Sequence, residues 1–348
     1  MKIRFAAVGF DHGHIFGQTE CLLQAGAELV WFWDNDPERI AQFRGHFPQG
    51  RLARSVEEIL EDETIHLIAS AAVPDERAPL GIRAMQHGKD YFSDKPAFAT
   101  LVQLEEVKQV QAETKRKYVV YFSERLANAA TVKAGELVQA GAIGQVVQTV
   151  GFGPHRLFGP DNQPRPEWTF HKQRYGGIIN DLATHQIDQF LFFTDSKTAE
   201  VVSARTANIK FTQYPAFEDF GELLLQSGEA SGFIRVDWYT PDGLPTWGDV
   251  RLFIVGTEGY MEVRKNVDLN GRPQGNHLFL ADKQKVQYID CRNYPLPFGS
   301  QLVHDLQTRE ETAVTQTHTF TVSELALQAQ QLANPTNTEG ARNRQTFH

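Results

Sequence analysis

The chain has 348 residues, with 34 Lys and Arg against 43 Asp and Glu and a formal net charge of −9. That length outgrows a single core, so two domains are expected, and a composition 41% hydrophobic, 11% aromatic and 22% charged is that of a soluble globular protein. The acidic balance, without long blocks of either sign, argues against nucleic acid and anionic membrane as partners and leaves small molecules. Cys21 and Cys291 make neither a disulfide framework nor a thiolate metal cluster. The N-terminus runs straight into a strand pattern, and no stretch reaches about 18 apolar residues. A reducing, cytoplasmic location is the expectation.

Ile3 to Val8 is a β-rich apolar run ending at Gly9, and from Ile15 to Gln24 the pattern turns helical, closing at Gly26. A second strand, Glu28 to Trp33, ends in Asp34, whose carboxylate is placed to accept hydrogen bonds from a ribose 2′-hydroxyl, as in a dinucleotide-binding βαβ unit. No arginine follows Asp34 directly, which favours NAD over NADP. The turn itself reads Gly9-Phe10-Asp11-His12-Gly13-His14 and keeps only the first glycine of G-x-G-x-x-G. Helices are expected over Pro37 to Phe47, Glu76 to His87 and Leu101 to Thr114, and strands over Thr64 to Ala71, Asp90 to Ser93 and Tyr118 to Phe122. This alternation predicts a parallel sheet covered on both faces over residues 1–123, with ligands at the carboxyl ends of its strands. Lys95 stands at such an end, restricted by Pro96, so its ammonium is expected to point into the cleft.

Beyond Arg125 a helix is expected over Ala129 to Gln139. Alternating runs follow at Gln145 to Gly151, Glu200 to Lys210, Phe220 to Gln226, Ala230 to Trp238, Val250 to Val255 and Tyr260 to Arg264, predicting an antiparallel sheet with one covered face. Between them Tyr175 to Asp188 reads as a helix entered through Gly176-Gly177, with Ile178, Leu182, Ile187 and Leu191 at helical spacing. Asp181 and His185, four apart, share one face and could tune a proton-transfer group; an N-terminal-turn aspartate and a satisfied histidine are the plainer alternative. The loop His155 to Arg174 gathers His155, Arg156, Arg165, Trp168, His171, Lys172 and Arg174. It suits a hydroxyl-rich substrate, with or without a carboxylate or phosphate, or is simply a solvated loop. Ser300 to Glu311 and Ser323 to Leu332, the latter capped by Ser323, read as helices, and residues 334–348 as a polar tail. The second domain is thus expected over 124–333.

Gly88-Lys89, Asp94-Lys95-Pro96, Gly141-Ala142-Ile143-Gly144, Gly176-Gly177 with Asp181, His185 and Asp188, and Gly256-Thr257-Glu258-Gly259 occur in an order that resembles the glucose-fructose oxidoreductase / inositol dehydrogenase (Gfo/Idh/MocA) family. The resemblance implies a Rossmann domain followed by an α/β domain with a large, open, mainly antiparallel sheet, and NAD(P)-linked oxidation or reduction of a sugar, inositol or related polyol. Lys95 matches the lysine of the family's E-K-P motif, with Asp94 in place of the glutamate, and Asp181 and His185 match the aspartate and histidine of its glycine-opened helix. These three are the expected catalytic residues. Gly9, Phe10, Asp11, His12, His14, Asp34, Pro74 and Lys95 are the expected cofactor contacts, and Arg156, Trp168, His171, Lys172 and Tyr175 the expected substrate contacts. Asp11 and His14 replace two family glycines, and Ala78 replaces a histidine after Pro74. No metal is expected. A divalent ion held by Asp11, His12 or His14 with His185 is the alternative, for which nothing in the sequence fixes a third ligand. The rival functions are a redox-neutral or metal-dependent lyase or glycosidase on the same fold, and a non-catalytic sugar or dinucleotide sensor. A homodimer or homotetramer through the second sheet is expected.

Overall fold

The computed structural model describes residues 1–159, 163 and 165–334. The first third alternates β1 (Arg4–Val8), α1 (His14–Gln24), β2 (Glu28–Trp33), α2 (Pro37–His46), β3 (Arg51–Leu52), α3 (Val56–Glu61), β4 (Leu67–Ser70), α4 (Pro74–Gln86), β5 (Asp90–Asp94), α5 (Leu101–Thr114) and β6 (Tyr118–Tyr121). The strands pair in parallel in the order β3-β2-β1-β4-β5-β6. Every residue of β4, β5 and β6 is buried, as strands covered by helices on both faces must be. The order reverses between β1 and β4, and the crevice at that point opens at the carboxyl ends that carry Gly9, Asp34 and Asp94. Local chemistry fixes the elements here: Asp36 caps α2 by accepting from the N–H groups of Glu38 and Arg39, and Pro37 occupies the first turn.

The chain continues through α6 (Ser123–Leu126), α7 (Ala129–Gln139), β7 (Val146–Pro154), a 3₁₀ turn (Glu167–Phe170), α8 (Lys172–Tyr175), a π-turn (Ile179–Ala183) and α9 (Thr184–Phe193). Then come β8 (Glu200–Ala207), β9 (Phe220–Ser227), β10 (Ala230–Asp237), β11 (Arg251–Gly256), β12 (Tyr260–Arg264), β13 (His277–Ala281), β14 (Val286–Asp290), α10 (Phe298–Thr308) and α11 (Gln316–Ala333). The eight strands order as β14-β13-β12-β11-β7-β10-β9-β8, antiparallel throughout except for β7 against β10. Helices cover one face. Leu223, Leu225, Ile234, Val236, Leu252 and Ile254 point into that covered side.

Three expectations needed correction. The stretch opening at Tyr175 is not one helix: α8 ends in left-handed Gly176, Gly177 also has positive φ (+96°), and Asp181 lies in a π-turn that only then passes into α9. The last helix starts at Thr315, whose hydroxyl accepts from His318 N–H, so Ser323 is no cap. It sits buried in mid-helix with its hydroxyl donating to the Thr319 carbonyl, four residues back. Finally, α10 returns to the first sheet, Phe298 packing on Phe92 and Tyr121.

Candidate active site

Lys95, at the end of β5, and Asp181, in the π-turn, meet across the two sheets. Lys95 Nζ lies 3.1 Å from Asp181 Oδ1 and 3.0 Å from the Asp181 carbonyl oxygen, with Lys95 itself only 5% exposed. A π-turn widens the helix by one residue, and such turns recur at functional sites; here both oxygens of one residue reach the ammonium. His185 follows at the start of α9, 2% exposed, with no hydrogen-bond partner for Nδ1. Burial, reinforced by Lys95 and His14, holds its protonation well below the ordinary imidazole range. The ring is therefore neutral near neutral pH and open to a proton. His155 is in the same state, pushed down to about 3 by burial and then by Lys95, with its ring against Trp247 at 4.7 Å.

Around Asp94 the geometry exceeds what the sequence suggested. The carboxylate is fully buried. Oδ1 accepts the Lys95 N–H at 2.7 Å and lies 2.8 Å from His14 Nδ1, while Oδ2 lies 3.2 Å from both Arg77 Nη2 and His12 Nδ1. Burial alone would raise this carboxyl; His14, Arg77 and His12 instead hold it well below the usual range. Arg77, itself fully buried, is fixed by the carbonyls of Ala72 and Pro96. It stands beside Ala78, the position at which the family histidine is missing. A second buried pair, Glu124 Oε2 with Lys265 Nζ at 2.9 Å, also accepts from Gln186, next to His185.

In the crevice between β1 and β4, Gly9 has φ +75°, and a Cβ there would meet that of Ala72 at 2.7 Å. A cavity of about 420 Å³ opens beside it, lined by Gly9, Trp33, Asp34, Ala72, Pro79 and Leu80 among others, a size and polarity suited to an adenosine. Asp34 Oδ2 accepts the Phe10 N–H at 2.6 Å. No arginine follows Asp34 directly in sequence, but Arg39, from the first turn of α2, reaches Asp34 Oδ1 through Nε at 3.0 Å and Asp11 Oδ1 through Nη1 at 2.8 Å. Asp11 thus brings its own counter-ion to the position of the missing glycine. His12 and His14 turn to Asp94, away from the role of phosphate donors, and the His12 N–H donates to the Ala71 carbonyl. Pro74 is buried in the first turn of α4. A larger cavity, about 860 Å³ beside Phe192 and His318, contains none of Lys95, Asp181 and His185.

The expected substrate contacts divide. Tyr175 is buried, its hydroxyl accepting the Glu218 N–H, and Lys172 is tied to Glu218, which also accepts from Gln330 and the Ile178 N–H. Both hold the turn rather than line a cleft. Arg156 donates to the carbonyls of Pro241 and Leu244, and His171 is exposed beside Glu167. Trp168 is half-buried, its Nε1–H without a partner. Arg165, in contrast, lies within the field of Asp181 with its guanidinium over Trp238 at 5.0 Å.

A parallel dinucleotide-type domain, an eight-stranded open sheet and a buried Lys–Asp–His constellation between them define a two-domain oxidoreductase. Residues 3–122 match the family described as "Oxidoreductase family, NAD-binding Rossmann fold" and residues 131–262 the "GFO/IDH/MocA C-terminal domain". The chain belongs to the Gfo/Idh/MocA family. It is 45% identical to a protein of known crystal structure from Erwinia carotovora atroseptica SCRI1043, named only by class as an oxidoreductase, over 96% of this chain and 99% of that one, with a TM-score of 0.92. Among curated relatives it is 24% identical over 266 residues to the scyllo-inositol 2-dehydrogenase (NAD(+)) of Bacillus subtilis (strain 168), covering 74% of this chain and 72% of that protein. It is also 27% identical over 226 residues to an uncharacterized oxidoreductase of Schizosaccharomyces pombe, covering 62% of this chain and 57% of that protein. A levoglucosan dehydrogenase solved with NADH and levoglucosan shares the fold, with 15% identity, a TM-score of 0.80 and coverage of 96% and 97%.

Proposed function

We propose that the protein is an NAD-dependent dehydrogenase of a sugar, inositol or related polyol, a reading carried by the convergence of Lys95, Asp181 and a neutral, buried His185 on the carboxyl end of β5. Nicotinamide, when bound, supplies the hydride acceptor for a secondary alcohol. The chain's own part is proton and charge management. His185 takes the hydroxyl proton on a ring nitrogen, Lys95 Nζ stabilises the oxygen as it gains charge, and Asp181 holds that ammonium in place. Water is kept out by the same burial that keeps the imidazole neutral. NAD is preferred to NADP because Asp34 remains at the end of β2, where a carboxylate repels a 2′-phosphate, and because Arg39 is already engaged by Asp34, Asp11 and Asn35. Arg165 and Trp168 remain the substrate contacts best placed for a hydroxyl-rich ligand. The test is a screen of polyols, inositols, aldonates and sugar phosphates for NADH absorbance, with NADP in parallel. Turnover without net NADH would favour redox-neutral elimination, and binding without turnover a sensor.

A further inference from the structure

The turn Gly9 to His14 and the end of β5 bring together His12, His14 and Asp94, and the redox reading gives their ring nitrogens no task. His14 Nδ1 stands 2.8 Å from Asp94 Oδ1 and His12 Nδ1 3.2 Å from Oδ2, and ligand atoms from all three residues fall within 4.8 Å of one another. The imidazoles meet edge to face, centroids 4.2 Å apart. His12 Nδ1 also accepts the backbone N–H of His14 at 3.3 Å. A nitrogen that accepts a hydrogen bond presents a lone pair and no proton. Asp94 Oδ2, in a fully buried side chain, meets Arg77 Nη2 and His12 Nδ1, each at 3.2 Å. His12 Nδ1, with its lone pair turned to that oxygen, and His14 Nδ1 thus converge on one carboxylate from a partly exposed side.

We propose that His12, His14 and Asp94 form a site for one borderline divalent cation of the zinc, cobalt or manganese class, bound by two Nδ1 atoms and a carboxylate oxygen. Neighbouring ligands held about 2.1 Å from a shared ion lie about 3.0–3.4 Å apart, so ligand atoms already within 4.8 Å of one another need only a small closure, and two imidazoles with one carboxylate leave open positions for an oxygen ligand. Arg77 and the Lys95 N–H orient the carboxylate, as hydrogen-bonding partners of metal ligands do. They also lower the site's negative charge, which weakens its hold on a cation relative to a structural zinc site. The third ligand is 80 positions from the second, which is why the H-x-H turn alone did not disclose the site.

The inference is independent of the redox reading, because its readout is the ion and not turnover. Chelator-stripped full-length protein is titrated with Zn²⁺ by calorimetry, and with Co²⁺ by visible absorption. One ion per chain and ligand-field bands are expected, with at least about a hundredfold weaker binding in His12→Gln/His14→Gln. The single His12→Gln and His14→Gln variants serve if the double variant does not fold by circular dichroism. Absence of heat and of bands at millimolar ion, or undiminished binding in the folded variants, overturns the proposal.

Discussion

A lysine ammonium that donates to Oδ1 and to the backbone carbonyl of Asp181 has little freedom at the end of β5, and this defines what each side chain contributes. Lys95→Ala and His185→Ala should each lower kcat by at least about a hundredfold while dinucleotide affinity measured by fluorescence changes little, since one removes charge stabilisation and the other the proton acceptor. Near-wild-type turnover in either variant would remove that residue from the mechanism. Stability should register the buried imidazole at His155. Unfolded, it takes a proton below about pH 6.5, whereas folded it resists until about 3, so across that interval the unfolded chain binds more protons and stability falls as pH is lowered. Asp188, held at about 2 by Arg125 and His318 although burial opposes it, adds a further loss below its ordinary value of 3.8. Melting temperature followed from pH 7 downward should therefore drop, and His155→Asn should flatten the upper part of the slope; an unchanged profile in the variant would contradict the assignment.

Among the elements, the glycine-opened turn before α9 sets the geometry of the site. A Cβ on Gly177 would lie 2.2 Å from the Gln330 side chain, which is held by Glu218 and the Ile179 N–H, and the backbone there has φ +96°. Gly177→Ala should destabilise by about 1–3 kcal/mol in chemical denaturation and impair kcat through the displaced π-turn. A loss below about 0.5 kcal/mol would show that the turn yields freely. This is also where sequence and structure part. The glycines, the Asp181–His185 spacing and Lys95 before a proline were legible because each is a local signal. The π-turn was not, since Ile178 to Leu191 fits an α-helix pattern and the extra residue is imposed by packing. The edge strand β14 escaped because its five-residue run Val286–Asp290, with Val286 and Tyr288 exposed, lacks a buried stripe. Arg77, Arg39 and Asp94 as partners of the nucleotide turn depend on contacts across up to about 80 residues, for which no local pattern exists. Tyr175 and Lys172 were misread for the opposite reason: polar side chains beside a cleft look alike in sequence whether they face a ligand or a buried Glu218.

For the whole molecule, the second sheet presents its other face without a covering helix layer among the described residues. The pairing registers align Leu224, Phe233, Val150, Phe253, Glu262, Phe279 and Tyr288 in one row across seven strands, and Arg264 and Arg272 lie over its Phe279 ring. We propose that a second copy covers this mainly apolar row, giving a homodimer or homotetramer. Light scattering should report a multiple of 39.3 kDa, and Phe253→Glu a smaller species; a clean monomer at micromolar concentration would refute the assembly. The adenosine cavity has a further consequence, for kinetics. Five carboxylates line it, Asp11, Asp34, Glu57, Asp75 and Glu76, against the one arginine Arg83, with Arg39 and Arg174 pairing from outside. The doubly charged pyrophosphate of a dinucleotide approaching this mouth on a molecule of charge −9 is repelled over roughly a Debye length, about 10 Å at 0.1 M salt. Added salt should therefore accelerate capture of the dinucleotide, measured by stopped-flow quenching of Trp33, where an attractive mouth would be slowed by the same salt.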